Sequence, residues 1–283
     1  MTSLHVDAAP GEGPGEWMSR ATASSGRIYF WQGGSLWIGA GRGRTQWHAH
    51  HAHQIALAPR GQFRFRTENG GAWTDFEAAL VPSHRTHQFE LDGIAIAHLF
   101  VEPESRAGRV LAARFGADEV AALPRAETQP LARALFAAFA ADASRGSMVR
   151  AAEQVLAALC GPACEAEAEA DRAIDPRLER ALAFMRQHLR RPISLADVAA
   201  AATLSESRFR HLFVAQTGSS FRAYLLWLRI NLAIEAVMAG ASWTEAAHEA
   251  GFADSAHLTR THKRMFGIEP SAVRPLPATG SDA

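Results

Sequence analysis

Apolar side chains recur at helical spacing along the last hundred residues, in two copies of one short pattern. The first copy reads Ser194-Leu-Ala-Asp-Val-Ala-Ala-Ala-Ala-Thr-Leu-Ser205, then Glu206 to Thr217, then Gly218. The second reads Ser242-Trp-Thr-Glu-Ala-Ala-His-Glu-Ala-Gly-Phe252, then Asp254 to Phe266, then Gly267. Each predicts a short capped helix, a tight turn and a second helix, the helix-turn-helix pattern. Ser194 with Asp197, and Ser242 with Glu245 as a capping box, supply the helix starts; Asp254 caps the last helix and Gly251 permits the turn. In the first copy Leu195, Val198, Ala199 and Ala202 face inward, and Phe209, Leu212 and Phe213 form the stripe that packs on them. At about 100° per residue the opposite face falls on Ser207, Arg210, His211 and Val214. Between the copies, residues 219–239 read as one helix of about 20 residues, ~30 Å long. That length nearly matches the ~34 Å between successive major-groove faces of B-DNA. A further helix opens at Asp175-Pro176 and carries Leu178, Leu182, Met185 and Leu189 on one stripe before Pro192 stops it.

The period changes upstream. From Arg27 to about Phe100, short aromatic and branched runs predict strands: Ile28-Tyr-Phe-Trp, Ser35-Leu-Trp-Ile, Gln54-Ile-Ala-Leu, Gln62-Phe-Arg-Phe-Arg, Ala79-Leu-Val and Ile94-Ala-Ile-Ala. Gly33-Gly34, Pro59-Arg-Gly61, Asn69-Gly70-Gly71 and Asp92-Gly93 punctuate them as turns, which favours a barrel or jelly roll. Leu131, Leu135 and Phe139 mark one amphipathic helix and Val155, Leu156 and Leu159 another. Residues 1–26, rich in Gly, Pro, Ser and Ala, read as a disordered arm; the acidic run Glu165 to Asp171 reads as a linker.

Net charge is zero over 283 residues, so no global basic character points to nucleic acid. The distribution changes that picture: residues 172–274 hold 14 Lys/Arg against 9 Asp/Glu, placing the positive excess on the duplicated motif. Two cysteines, Cys160 and Cys164, are too few for a disulfide scaffold or a structural zinc site. No signal peptide or membrane span is read, and a cytoplasmic location without membrane contact is expected.

The repeat, its linking helix and the ending Gly267-Ile-Glu-Pro270-Ser-Ala-Val-Arg274 together resemble the DNA-binding domain of the AraC/XylS family of bacterial transcription regulators. Gly251-Phe252, Leu258-Thr-Arg-Thr261 and Lys263-Arg264-Met-Phe-Gly267 carry the likeness most specifically. The resemblance implies DNA contacts at Ser207, Arg210 and His211 from the first unit and at Ser255, Ala256 and Arg260 from the second, with Lys263 beside them. Ala256 offers only a methyl group, and His262 stands where such sequences place a core phenylalanine.

Seven of the 13 histidines fall between His48 and His98, densest in His48-Ala-His50-His51-Ala-His53-Gln54. Strand alternation puts His48, His50 and Gln54 on one face, and His51 and His53 on the other, toward a surface or interface. With Gly61, and His87 five residues after Pro82, this run resembles the cupin pattern, although Gln54 replaces the usual acid and His84 a glycine. His48, His50, Gln54 and His87 are thus the candidate effector site. Three imidazoles and an amide suit a divalent zinc, nickel or iron ion; the same groups also suit a metal-free effector pocket or a purely structural role. Replacing the acid by Gln54 removes a potential base and argues against catalysis.

The expectation is an α+β chain: arm 1–26, cupin-like jelly-roll barrel 27–104, helical dimerisation segment 105–164, linker 165–174, all-α double helix-turn-helix domain 175–274 and tail 275–283. Its function is read as sequence-specific regulation at double-stranded promoter DNA, as a homodimer that responds to a small-molecule or metal effector and meets RNA polymerase. The rivals are a metal-dependent, dioxygenase-like cupin enzyme and a regulator whose barrel only dimerises.

Overall fold

The computed structural model describes residues 22–68, 71–161 and 174–276. Its first half is a curled sheet with strands β1 (Ala23–Trp31), β2 (Gly34–Arg44), β3 (His53–Leu57), β4 (Phe63–Arg66), β5 (Thr74–Phe76), β6 (Ala78–Val81), β7 (Gln88–Val101), β8 (Ala121–Ala122) and β9 (Val273–Pro275). The order is β8-β6-β3-β7-β2-β1-β9, with β4 on the free part of β7 and β5 beside it. The long β7 is the hub: β2 lies along one edge, and β3 and β4 share the other.

Side-chain alternation divides the sheet into two faces. Leu36, Ile38, Ile55, Leu57, Leu99 and Val101 pack outward against three helices, α1 (Arg106–Phe115), α2 (Arg125–Ala140) and α3 (Arg145–Cys160). Leu135, Phe139, Val155, Leu156 and Leu159 are buried there, and Leu131, the other residue whose spacing marked a helix, is partly buried. The segment 105–161 is therefore a second layer over the sheet. Ala56, Phe63, Phe65, Ala79, Phe89 and Ile96 point the other way and fill the hollow of the sheet.

The second half is helical: α4 (Pro176–His188), α5 (Leu195–Ala201), α6 (Glu206–Thr217), α7 (Phe221–Met238), α8 (Trp243–Glu249) and α9 (Ser255–Phe266). The two turn units obey the same local rules. Ser194 with Asp197 and Ser242 with Glu245 each form a reciprocal capping box. Leu204 N donates to Ala199 O and Phe252 N to Ala247 O, both at 2.9 Å, and the preceding residues Thr203 and Gly251 take φ of 57° and 74°. His262, in the core position, is buried between Trp243 and Phe266, and its Nδ1 lies 3.0 Å from Ile268 O.

Two sequence-based boundaries shift. Ala23 to Gly26, assigned to the arm, pair with β2, and residues 1–21 lie outside the described residues. Pro275, assigned to the tail, belongs to β9, which runs parallel to β1 with Ser24 opposite Val273. Residues 162–173, which include most of the expected linker and Cys164, and turn residues Asn69 and Gly70 are also outside the described residues. The end of the helical half is thus stitched into the sheet of the first half.

Candidate nucleic-acid interface and sensor site

The two outer helices, α6 and α9, each bury one stripe and expose the other. Phe209 and Phe213 are buried while Ser207, Arg210 and His211 are exposed. Leu258, Met265 and Phe266 are buried while Ser255, Ala256 and Arg260 are exposed. Among the described residues Arg210 is held by an exposed pair with Glu206 at 3.2 Å, worth a few tenths of a kcal/mol and easily exchanged for another acceptor. Lys263 differs: it is half-buried and its ammonium donates to Glu269 at 2.6 Å. Helix α7 separates the units with 18 residues, ~27 Å at 1.5 Å each.

Both outer helices end in a left-handed glycine, Gly218 at φ 67° and Gly267 at φ 70°. Each of these ends meets a histidine of the sheet half. A Cβ on Gly218 would lie 3.3 Å from the His84 ring, and one on Gly267 would lie 2.6 Å from His48 Nδ1 and 2.5 Å from Gln46 O. Gln46 N donates to Gly267 O at 2.7 Å. The faces carrying Arg210 and Arg260 remain open while the opposite ends of their helices rest on the histidine loops.

Those loops bring His48, His50 and His87 together, with one ligand atom from each lying within 4.8 Å of the others. His48 and His87 form a β-bridge, and His84 N donates to His50 O at 2.9 Å, which locks the two loops in register. His84 takes φ 62°, so a histidine occupies a conformation suited to the glycine of the cupin pattern. Each triad imidazole sets its Nδ1 2.8 Å from a backbone carbonyl, of Gln46, Ala52 and Arg85 respectively. For His48 and His87, donation from Nδ1 leaves Nε2 as the lone-pair nitrogen, the arrangement that orients imidazoles toward metal ions; neutral His50 has one N–H to share between Ala52 O and the Gln54 amide oxygen. His87 Nε2 is fully buried without a hydrogen-bond partner. Gln54 Oε1 lies 2.9 Å from His50 Nε2, and the amide Nε2 lies 3.0 Å from His98 Nδ1. An apolar cavity of about 120 Å³, walled by Trp37, Phe89, Ile96 and Phe266, backs onto His48, Gln54 and His98.

Sequence reasoning missed the residues that join the halves. His51 and His53, expected at a surface or interface, are both buried, and His51 lies at the contact between the halves. His51 Nε2 donates to Glu104 Oε2 at 2.8 Å, and its Nδ1 lies 3.0 Å from Ser219 Oγ. Tyr224 OH of α7 donates to Glu104 Oε1 at 2.7 Å, and Arg186 of α4 donates to Glu102 at 2.5 Å. Burial opposes the Glu104 charge, yet His51 and Tyr224 hold its carboxyl below the ordinary range. Burial and the neighbouring Glu104 push Glu102 the other way, against the attraction of Arg186. Trp37, Phe100 and Phe266 add an aromatic contact, with Trp37 and Phe266 centroids 4.8 Å apart.

Burial also lowers the buried histidines: His48 and His98 to about 3, and His50, His53 and His262 to about 4, from 6.5. Each stays neutral in the folded chain near neutrality, as a metal ligand must. Once unfolded, each takes up a proton near its ordinary value. The unfolded chain therefore binds more protons below pH 6.5, and stability present above that value is lost as the pH falls toward about 4. The urea midpoint should be flat from pH 8 to 7 and fall steeply from pH 6.5 to 4.5. Each histidine contributes at most about 1.4 kcal/mol per pH unit. A midpoint that stays level down to pH 4.5 would contradict this.

With that geometry in place, comparison places the helical half. Residues 198–275 match the family described as a helix-turn-helix domain. The chain is 36% identical over 108 residues to the uncharacterized HTH-type transcriptional regulator YidL of Escherichia coli (strain K12), covering 37% of this chain and 36% of that protein. It is 31% identical over 98 residues to the HTH-type transcriptional regulator ExsA of Pseudomonas aeruginosa, covering 34% and 35%. The chain thus spans about a third of the length of the curated relatives it matches. The crystal structure of ToxT from Vibrio cholerae O395 superposes with a TM-score of 0.52 at 12% identity, over 89% of this chain and 94% of that one. That likeness shows a shared fold, a sheet-rich part followed by a helical one. The duplicated unit is a helix-turn-helix domain of the AraC/XylS type of transcription regulator. Among the described residues no helix is long and apolar enough to cross a membrane.

Proposed function

We propose that this chain is a cytoplasmic, non-enzymatic regulator that reads double-stranded promoter DNA with both turn units and senses an effector with its sheet half. The observation that carries the reading is the shared layout of α6 and α9. Ser207, Arg210 and His211, and Ser255, Ala256 and Arg260, all face solvent across one stiff connecting helix. Arginine can grip guanine bidentately in the major groove, which suits Arg210 and Arg260 to base reading. Lys263, tied to Glu269, suits a phosphate contact made after that pair opens. Homodimerisation through α1, α2 and α3 of the segment 105–164 and contact with RNA polymerase complete the proposal.

The test is site selection on randomised duplexes with the full chain and its Arg210→Ala and Arg260→Ala variants. Each variant should lose ~1–3 kcal/mol of preference at one base position. An equal loss on every sequence would mean that these arginines touch only phosphate.

For the sensor, the fit of His48, His50 and His87 to an ion supports a divalent zinc, nickel or iron ion as part of the effector site. Three neutral, carbonyl-anchored imidazoles, one of them with its Nε2 buried and partnerless, are the donors such ions prefer. Bound there, the ion would supply positive charge and open coordination positions. Gln54, hydrogen-bonded between His50 and His98, serves to orient them and carries no base.

A further inference from the structure

Between the histidine loops and the helical half lies a cavity of about 620 Å³, far larger than a bare ion needs. Its sheet-side wall includes His48 and His50; its helical wall includes Ser219, Arg222, Trp227 and Arg264. No Asp or Glu lines it. Arg222 and Arg264 are exposed and have no carboxylate partner among the described residues. The first turn of α7, which opens at Ser220 on the same wall, carries no acidic residue, so its positive end adds to the two guanidiniums. Trp227 is almost wholly buried and contributes to the helical wall. Cationic donors on one wall and metal-type imidazoles on the other suit an occupant rich in anionic oxygen.

We infer that this cavity binds a small polycarboxylate, held by a triad-bound metal ion on the sheet side and by Arg222 and Arg264 on the helical side. The inference rests on the metal reading of His48, His50 and His87 proposed above. Such a ligand would be contacted by both halves of the chain at once. It would therefore favour the docked arrangement, in which the ends of α6 and α9 rest on His84 and His48. A ligand shifts an equilibrium only by its difference in affinity for the two states, and a bridging anion has that difference built in.

The test uses the full chain loaded with Zn²⁺ and dialysed, with L-malate as probe and inorganic phosphate as a second arm. About one zinc ion per chain and one malate per chain are expected, with malate binding at least about 10-fold weaker to metal-free protein. Arg222→Ala combined with Arg264→Ala should weaken malate at least about 10-fold and leave zinc content and the thermal midpoint unchanged. His87→Ala should lose the zinc; His50→Ala, as a second variant, should do the same. Malate binding that ignores the metal or the arginines overturns the inference. So does binding of phosphate but not malate, or of neither to zinc-loaded protein. Absence of zinc from the wild-type chain overturns the metal reading beneath it, and DNA binding by the same preparations scores the regulator reading separately.

Discussion

Replacing Glu104 by alanine should cost about 2–6 kcal/mol, since it leaves two buried donors unpaired at about 1–3 kcal/mol each. The Glu104 carboxylate accepts from His51 Nε2 and Tyr224 OH, and both side chains are buried. Truncation leaves both donors facing a hole that water fills poorly. Because Glu104 follows the sheet and Tyr224 lies on α7, the loss should fall on the docking of the two halves. Limited proteolysis of Glu104→Ala should release a helical fragment that the parent chain protects. Tyr224→Phe should cost less than Glu104→Ala, since His51 keeps its partner. Combining the two substitutions should cost less than their sum, because the carboxylate and hydroxyl share one bond. Strict additivity, or a Glu104→Ala loss below about 1 kcal/mol, would show that this network does not hold the halves together.

The second large effect is expected at Gly267. Its φ of 70° already disfavours a side chain, and a Cβ there would approach Gln46 O to 2.5 Å and His48 Nδ1 to 2.6 Å. Gly240, at φ 104°, provides the control, because nothing lies within 4 Å of the Cβ it would gain. Gly240→Ala should cost about 1 kcal/mol, the backbone term alone. Gly267→Ala should cost about 2–4 kcal/mol, since the backbone of the 45–48 segment must also move. The excess measures how firmly the end of α9 seats on the histidine loop. Equal midpoints for the two variants would mean that the seat is soft.

What the sequence reveals and what it hides follows from the range of each interaction. The double unit is legible because its determinants are local. Ser194 and Asp197, Ser242 and Glu245, and Gly251 before Phe252 act within one turn, and the stripes of Phe209 with Phe213 and of Leu258 with Met265 repeat at helical spacing. The strands of the first half are legible for the same reason, through alternation and turns. His48 and His50 belong to a run dense enough to flag itself, and His87 joins them through a bridge to His48. Alternation could place His51 on the opposite side from these but could not say what covers it. The covering groups, Tyr224 and Ser219, stand 173 and 168 residues further along the chain. The pairing of β9 with β1 and the cavity that Arg222 and Arg264 share with the histidine loops likewise exist only once the halves dock. Short-range order was written in the residues; the contact between the two halves exists only once the fold forms.

The central claim is that α6 and α9 lie in successive major grooves on one side of the duplex. Hydroxyl-radical footprinting of the full chain on a selected site tests it most directly. The account predicts two protected patches about 10 base pairs apart on one face, with Arg210→Ala and Arg260→Ala each weakening a different patch. A single patch, or two patches that fade together with either substitution, would contradict it.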